Sequence, residues 1–125
     1  MRVKVTYPSF TRTEVVEKLR RASVGLKKKL PLALVILFGS FARDRFTAAS
    51  DVDLLVVYRG GERDDAYRLI MDEVRLPRLE PRIYTEKQFD RLMAESPKFA
   101  EVLRKEGITI FRARRERWSR GAKTG

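Results

Sequence analysis

Residues 32–58 read LALVILFGSFARDRFTAASDVDLLVVY, with an apolar run at each end and the turn-forming pair Gly39-Ser40 between them. The first run, 32–38, is continuously apolar, which is typical of a strand buried on both faces. The second run, 51–58, opens with two aspartates and continues with aliphatic residues. These runs predict two central strands of a sheet, with a short helix at about 40–45 after the first.

The rest of the chain alternates between helical and strand-like segments. Apolar residues at helical spacing predict helices at 12–29, 62–74, 86–94 and 97–106, and short β-prone runs predict strands at 78–84 and 108–111. Capping boxes begin two of these helices, at Thr11 and at Thr85. Pro81 favours an edge position for the strand that contains it. A weaker strand or arm is predicted at 2–7.

This order predicts an α/β (α+β) fold, a mixed β-sheet of about three to five strands with helices packed against it. A chain of 125 residues fits a single domain with a proper core. We expect that domain to cover 1–111. Residues 112–125 carry six basic side chains and one acidic one, which predicts a flexible basic tail.

Two missing residue types restrict the possible chemistry. The chain contains no cysteine, which excludes disulfides, thiolate metal sites and cysteine nucleophiles. It contains no histidine either, which excludes Ser-His-Asp triads and zinc–histidine sites. Catalysis by this chain would therefore depend on carboxylates, whose hard oxygen atoms favour Mg²⁺ or Mn²⁺.

The formal net charge of +11 suggests an anionic partner, which could be a nucleotide, a nucleic acid or an acidic protein. The alternative is that surface arginine serves solubility and stability. Asparagine is absent and Gln88 is the one glutamine, a pattern typical of thermophiles. No apolar run is long enough for a membrane span and the N-terminus lacks a secretion signal, so we expect a cytoplasmic protein without membrane partners.

Three groups of residues are candidates for a site. Gly39-Ser40 follows a strand, where backbone N–H groups can approach an anion. Asp51 and Asp53 lie two apart on a strand, so they share one face, with Cα atoms about 6.6 Å apart. Two such carboxylates can converge on a metal pair. Glu80, inside a later strand, could join them or act as a general base.

Each feature also has an ordinary structural interpretation. Gly39-Ser40 could be a simple strand-to-helix turn, one aspartate could cap while the other is solvated, and Glu80 could be a solvated edge residue. Their combination is more specific. Gly39-Ser40, ten residues and Asp51-Val52-Asp53 resemble the signature of the polymerase-β-like nucleotidyltransferases, and 38–43 with 50–56 resemble its minimal branch. The resemblance covers about residues 10–111.

The resemblance implies roles for these residues. Asp51, Asp53 and Glu80 would bind Mg²⁺ and perform catalysis, while Gly39 and Ser40 would hold the triphosphate of ATP. Asp44 and Glu80 stand where many members have glycine and aspartate. Arg43 could reach a phosphate or brace the fold.

Minimal members are commonly paired with a helical HEPN-type protein as antitoxin and toxin, and adenylylate a tyrosine of the toxin. The resemblance therefore implies ATP as donor and a protein tyrosine as acceptor. Two other functions stay open. The chain could neutralise a partner by binding alone, or it could be a nucleic-acid-binding module that uses its basic tail. Against the latter, aromatic and basic residues are not interleaved as on RNA-stacking surfaces.

Overall fold

The computed structural model describes residues 10–47 and 50–114. Its strands are β1 (Leu32–Phe38), β2 (Val52–Tyr58), β3 (Leu79–Thr85) and β4 (Ile108–Arg112), and its helices are α1 (Arg12–Leu26), α2 (Ala66–Val74), α3 (Glu86–Glu95) and α4 (Pro97–Glu106). The expected α+β fold with a mixed sheet is confirmed. Within these described residues, no helix is long and apolar enough to span a membrane.

The four strands form one sheet in the order β3-β2-β1-β4. Strand β1 pairs antiparallel with both β2 and β4, whereas β2 and β3 run parallel. Strand β3 lies at the edge of this sheet, as Pro81 predicts, because proline cannot donate a ladder hydrogen bond. The end of β1 and the beginnings of β2 and β3 therefore lie at the same end of the sheet.

Alternate residues of β1 and β2 supply two apolar cores, one on each face of the sheet. Helices α1 and α2 cover the face that carries Val35, Leu37, Leu54 and Val56. Helices α3 and α4 cover the other face, where Leu103, Phe89 and Met93 pack against the central strands. Residues 34, 36, 38, 55 and 57 belong to this second face. Since side chains two apart share a face, Asp53 lies on the same side as Leu55.

Both capping boxes are present. The Thr11 side chain accepts from the Glu14 backbone while the Glu14 side chain accepts from the Thr11 backbone, and Thr85 and Gln88 do the same. Two helix boundaries differ from the predictions by more than one residue. Helix α1 ends at Leu26 rather than 29, and α2 begins at Ala66 rather than 62. The predicted strand at 2–7 and the tail beyond residue 114 lie outside the described residues.

Candidate active site

The left-handed backbone of Gly39 brings the end of β1 against the side chain of Asp53. Gly39 has a φ of +80°, which glycine adopts without a steric penalty. The preceding residue, Phe38, is the register partner of Asp53 in the antiparallel β1–β2 pair. A Cβ atom at position 39 would collide with Asp53 Oδ2 and lie 3.0 Å from its Cγ. The lack of a side chain at Gly39 therefore leaves room for the Asp53 carboxylate.

The segment after β1 is a hydrogen-bonded turn, and the prediction of a short helix at about 40–45 is wrong. The Arg43 N–H donates to the Gly39 carbonyl over 3.1 Å, and the Arg45 N–H donates to the Ser40 carbonyl over 2.9 Å. The second bond joins residues five apart rather than the four of an α-helix. Asp44 then adopts a left-handed φ of +61°. An anion here would be bound by individual N–H groups rather than by a helix macrodipole.

Three successive N–H groups of this turn are unpaired within the described part of the chain. Among the residues that the structure describes, no protein group accepts the N–H of Ser40, Phe41 or Ala42. Phe41 and Ala42 are buried, and the Phe41 ring stacks on Phe46 with centroids 4.1 Å apart. These apolar contacts hold the turn against the core. Within the described residues, the turn therefore holds three donors without a protein acceptor, directly after the glycine that lies against Asp53.

The structure brings Glu80 next to Asp53. They are register partners in the parallel β2–β3 pair, so their side chains lie on the same face of the sheet. Asp51 directly precedes β2, two residues before Asp53. Asp51 and Asp53 are half-buried and Glu80 is exposed. The three acids thus lie on two neighbouring strand ends, with Gly39 on the other side of Asp53.

The electrostatics of the site centre on Asp53. Burial raises the pKa of the Asp53 carboxyl, and the nearby charges of Asp51 and Glu80 raise it further. Arg82 and Arg43 oppose this increase in the pKa. A half-buried carboxylate beside two like charges is a place where a cation is favoured.

These residues suit a divalent metal by the chemistry of their donors, although their side chains are not arranged around one. Asp51, Asp53 and Glu80 offer hard carboxylate oxygens of the kind that Mg²⁺ and Mn²⁺ prefer. As the side chains are placed, no three acidic residues within the described part of the chain converge closely enough to hold an ion. The neighbouring backbone positions and the raised pKa of Asp53 support the fit. Binding would require side-chain rotation.

Arg43, Arg78 and Arg82 lie around the acids, and the last two were not predicted. Arg78 Nη2 lies 3.2 Å from Asp51 Oδ1, and Arg82 is close enough to influence Asp53. Arg82 shares a strand face with Glu80, so alternation along β3 could have identified it. Arg78 precedes the strand with a left-handed φ of +60°, for which the sequence carries no signal.

Arg43, which was expected either to reach a phosphate or to brace the fold, has a protein partner. Its Nη1 lies 3.4 Å from Glu106 Oε1 at the end of α4. This contact braces the turn against that helix. Because Arg43 also lowers the pKa of Asp53, its charge acts at the site as well.

Known proteins resemble this chain in sequence and in fold. The family model described as a nucleotidyltransferase domain matches residues 19–110. A protein of Methanocaldococcus jannaschii, named as a candidate protein adenylyltransferase, is 40% identical over 48 residues, which cover 38% of this chain and 49% of that relative. The match therefore spans about half of the relative's length.

Solved structures share the fold at low sequence identity. A candidate nucleotidyltransferase of Sulfolobus solfataricus has a TM-score of 0.53 and 19% identity, over 81% of this chain and 83% of that one. A toxin–antitoxin structure with AMP-PNP has a TM-score of 0.51 and 16% identity, over 76% of this chain and 74% of that one. A mutant of the toxin–antitoxin pair MntA-HpeT has a TM-score of 0.51 and 13% identity over the same shares.

Proposed function

The chain belongs to the nucleotidyltransferase domain family, and from that membership we propose that it transfers AMP from ATP to a hydroxyl group of a partner protein. Asp51, Asp53 and Glu80 would hold Mg²⁺, and the turn that begins at Gly39-Ser40 would hold the triphosphate. Bound Mg²⁺ would neutralise negative charge on the phosphates and on the leaving pyrophosphate.

The turn after β1 has the donors that a triphosphate needs. The unused N–H groups of Ser40, Phe41 and Ala42 can donate to phosphate oxygens, and the Ser40 hydroxyl adds a further donor. Gly39 lets this backbone lie directly beside Asp53. The triphosphate and the acidic residues would then share one end of the sheet.

The proposed reaction is a displacement at the α-phosphorus of ATP. The acceptor oxygen forms a bond to the α-phosphorus, the bond from that phosphorus to the bridging oxygen breaks, and pyrophosphate leaves with the electron pair. A carboxylate takes the acceptor proton. Glu80 is the most exposed of the three acids, so it is the one that an incoming hydroxyl group can reach most easily.

The observation that carries this proposal is the packing of Gly39 against Asp53, with Asp51 and Glu80 beside it. Residues 39 and 80 lie 41 positions apart in the sequence, yet both adjoin Asp53. If Gly39-Ser40 were only a turn and Glu80 only a solvated edge residue, neither would need to lie beside the Asp53 carboxylate. Burial raises the pKa of the Asp53 carboxyl, and the negative charges of Asp51 and Glu80 beside it raise that pKa further.

The proposed acceptor is a tyrosine of a HEPN-type toxin, for which this chain would act as the antitoxin. Support comes from the relative named for protein adenylyl transfer and from the fold shared with toxin–antitoxin pairs, one of them with AMP-PNP. The basic surface implied by the net charge of +11 suits both a nucleotide and an acidic partner. The proposed compartment is the cytoplasm.

The test is transfer of label to a candidate HEPN-type protein encoded beside this chain. In the presence of Mg²⁺, we expect ATP labelled in the α-phosphate to transfer its label to a tyrosine of that protein. ATP labelled in the γ-phosphate should transfer none. Asp53→Asn should reduce the rate at least about a hundredfold. Asp64→Asn, on a carboxylate outside this site, is the matched control. If Asp53→Asn still neutralised the partner without labelling it, neutralisation by binding alone would be supported instead.

A further inference from the structure

Arg78 forms an ion pair with an acidic residue of the proposed metal site. Its Nη2 lies 3.2 Å from Asp51 Oδ1, and the two side chains are 52% and 44% exposed. The Arg78 carbonyl accepts from the Val52 N–H over 2.9 Å, which fixes the Arg78 backbone beside the beginning of β2. The guanidinium is thus anchored at the site by its backbone while its side chain stays accessible.

Building on the proposed function, we propose that Arg78 exchanges partners: it pairs with Asp51 before the nucleotide binds, and it binds a phosphate of the nucleotide once a divalent cation takes its place on Asp51. Arg78 is then both a competitor of the free metal ion and a ligand of the metal–nucleotide complex.

The first half of the exchange follows from competition for one carboxylate. A guanidinium and a divalent cation both need the oxygens of Asp51, so the ion pair must loosen for Asp51 to act as a ligand. Because the pair is half-exposed, water and salt screen it and the side chains separate easily. Removing Arg78 should therefore tighten the binding of a bare divalent cation by about two- to fivefold.

The second half follows from the geometry of arginine. A guanidinium released from Asp51 remains within a side-chain length of the acids, where the phosphates of a metal-bound nucleotide would lie. Its planar donors match phosphate oxygens and can make two parallel bonds. Arg43 forms a similar half-exposed ion pair, but with Glu106, which is not one of the three acids that would hold the metal. Removing Arg78 should therefore weaken binding of the metal–nucleotide complex by about tenfold.

The experiment compares Arg78→Ala with Arg75→Ala. Arg75 is a matched control because it is also an exposed arginine in the left-handed region, with a φ of +53°, and its side chain donates to the Asp72 backbone carbonyl. Binding of Mn²⁺ alone is measured by the paramagnetic resonance signal of the free ion. Binding of AMP-PNP in excess Mn²⁺ is measured by calorimetry.

We expect opposite changes in Arg78→Ala, tighter binding of Mn²⁺ alone and weaker binding of AMP-PNP, with both affinities unchanged in Arg75→Ala. Unchanged or weaker Mn²⁺ binding in Arg78→Ala would overturn the exchange, and so would an unchanged affinity for AMP-PNP. If the wild-type protein bound neither ligand, or if Asp53→Asn bound both as tightly as wild type, the proposed function itself would fail. The two failures are therefore distinct.

Discussion

Gly39 lies directly against the side chain of Asp53, and the two residues depend on each other. The positive φ of Gly39 disfavours a side chain at position 39, and the closeness of the Asp53 carboxylate leaves no room for one. Conformation therefore favours glycine at this position, and the space beside Asp53 requires it. Asp44 and Arg78, also near the site, adopt left-handed φ values without being glycine.

Gly39→Ala is expected to lower the free energy of unfolding by about 1–3 kcal/mol, because alanine is strained in this conformation and its Cβ would displace Asp53. Urea denaturation measures the loss, and AMP-PNP binding should weaken with it. Gly60→Ala is the control: Gly60 has a φ of +90° but no atom within 4 Å of a Cβ built on it. Equal nucleotide binding by both variants would contradict the importance of the Gly39–Asp53 contact.

Asp53→Asn is expected to raise the free energy of unfolding at pH 7 in EDTA, although it removes the proposed function. The pKa of Asp53 is raised by burial first, then by Asp51 and Glu80, so its charged form destabilises the fold. The folded protein therefore binds this proton more tightly than the unfolded chain. The destabilisation is complete above the raised pKa and absent below the ordinary value of 3.8.

The stability gain in Asp53→Asn should therefore shrink as the pH falls from 7 through the raised pKa. Urea denaturation of the variant and of wild type across this range measures the difference. Adding Mg²⁺ should stabilise wild type and not the variant. A variant that is less stable than wild type at pH 7 in EDTA would show that the Asp53 charge is satisfied by partners rather than crowded.

Strand β3 and helix α3 are joined without a loop, and Thr85 makes this possible. Thr85 is the last residue of β3 and the N-cap of α3, and it is buried. Its hydroxyl accepts from the Gln88 N–H over 3.2 Å, and Gln88 Oε1 accepts from the Thr85 N–H over 2.9 Å. The strand that carries Glu80 is therefore held at its far end by a capped helix.

Thr85→Ala should lower the free energy of unfolding by about 0.5–2 kcal/mol, because it removes one half of the capping box. Thr85→Ser keeps the hydroxyl and should recover most of that loss. Chemical denaturation of both variants provides the measurement. If serine and alanine were equally destabilising, the lost methyl group and not the cap would be the cause.

The sequence predicted these elements where their signals were local, and it was wrong where a tertiary contact intervened. Capping residues and apolar spacing placed both Thr11 and Thr85 correctly. The predicted start of α2 was too early because the Arg63 N–H donates to the Tyr58 hydroxyl over 2.8 Å, which holds the chain outside the helix. The predicted helix after Gly39 is a turn instead, because the left-handed φ of +61° at Asp44 is incompatible with a continuing right-handed helix.

The candidate site lies at one end of the sheet, and helices cover both faces of that sheet. Helices α1 and α2 bury one face, and α3 and α4 bury the other around Leu55 and Val57. The acids were predictable as a group, because Asp51 and Asp53 alternate with a buried residue and Glu80 interrupts a strand. The pairing of Asp53 with Glu80 could not be predicted, because strand register depends on contacts between distant segments.

The most direct test of whether the acids and the turn act together is a titration of the protein with AMP-PNP. The titration is done once with Mg²⁺ and once with EDTA in place of Mg²⁺. It requires no partner protein, so it examines this chain alone. We predict binding that depends on Mg²⁺ and weakens at least about tenfold in Asp53→Asn. Binding of equal strength in EDTA, or equal binding by wild type and Asp53→Asn, would contradict the proposed metal and triphosphate site.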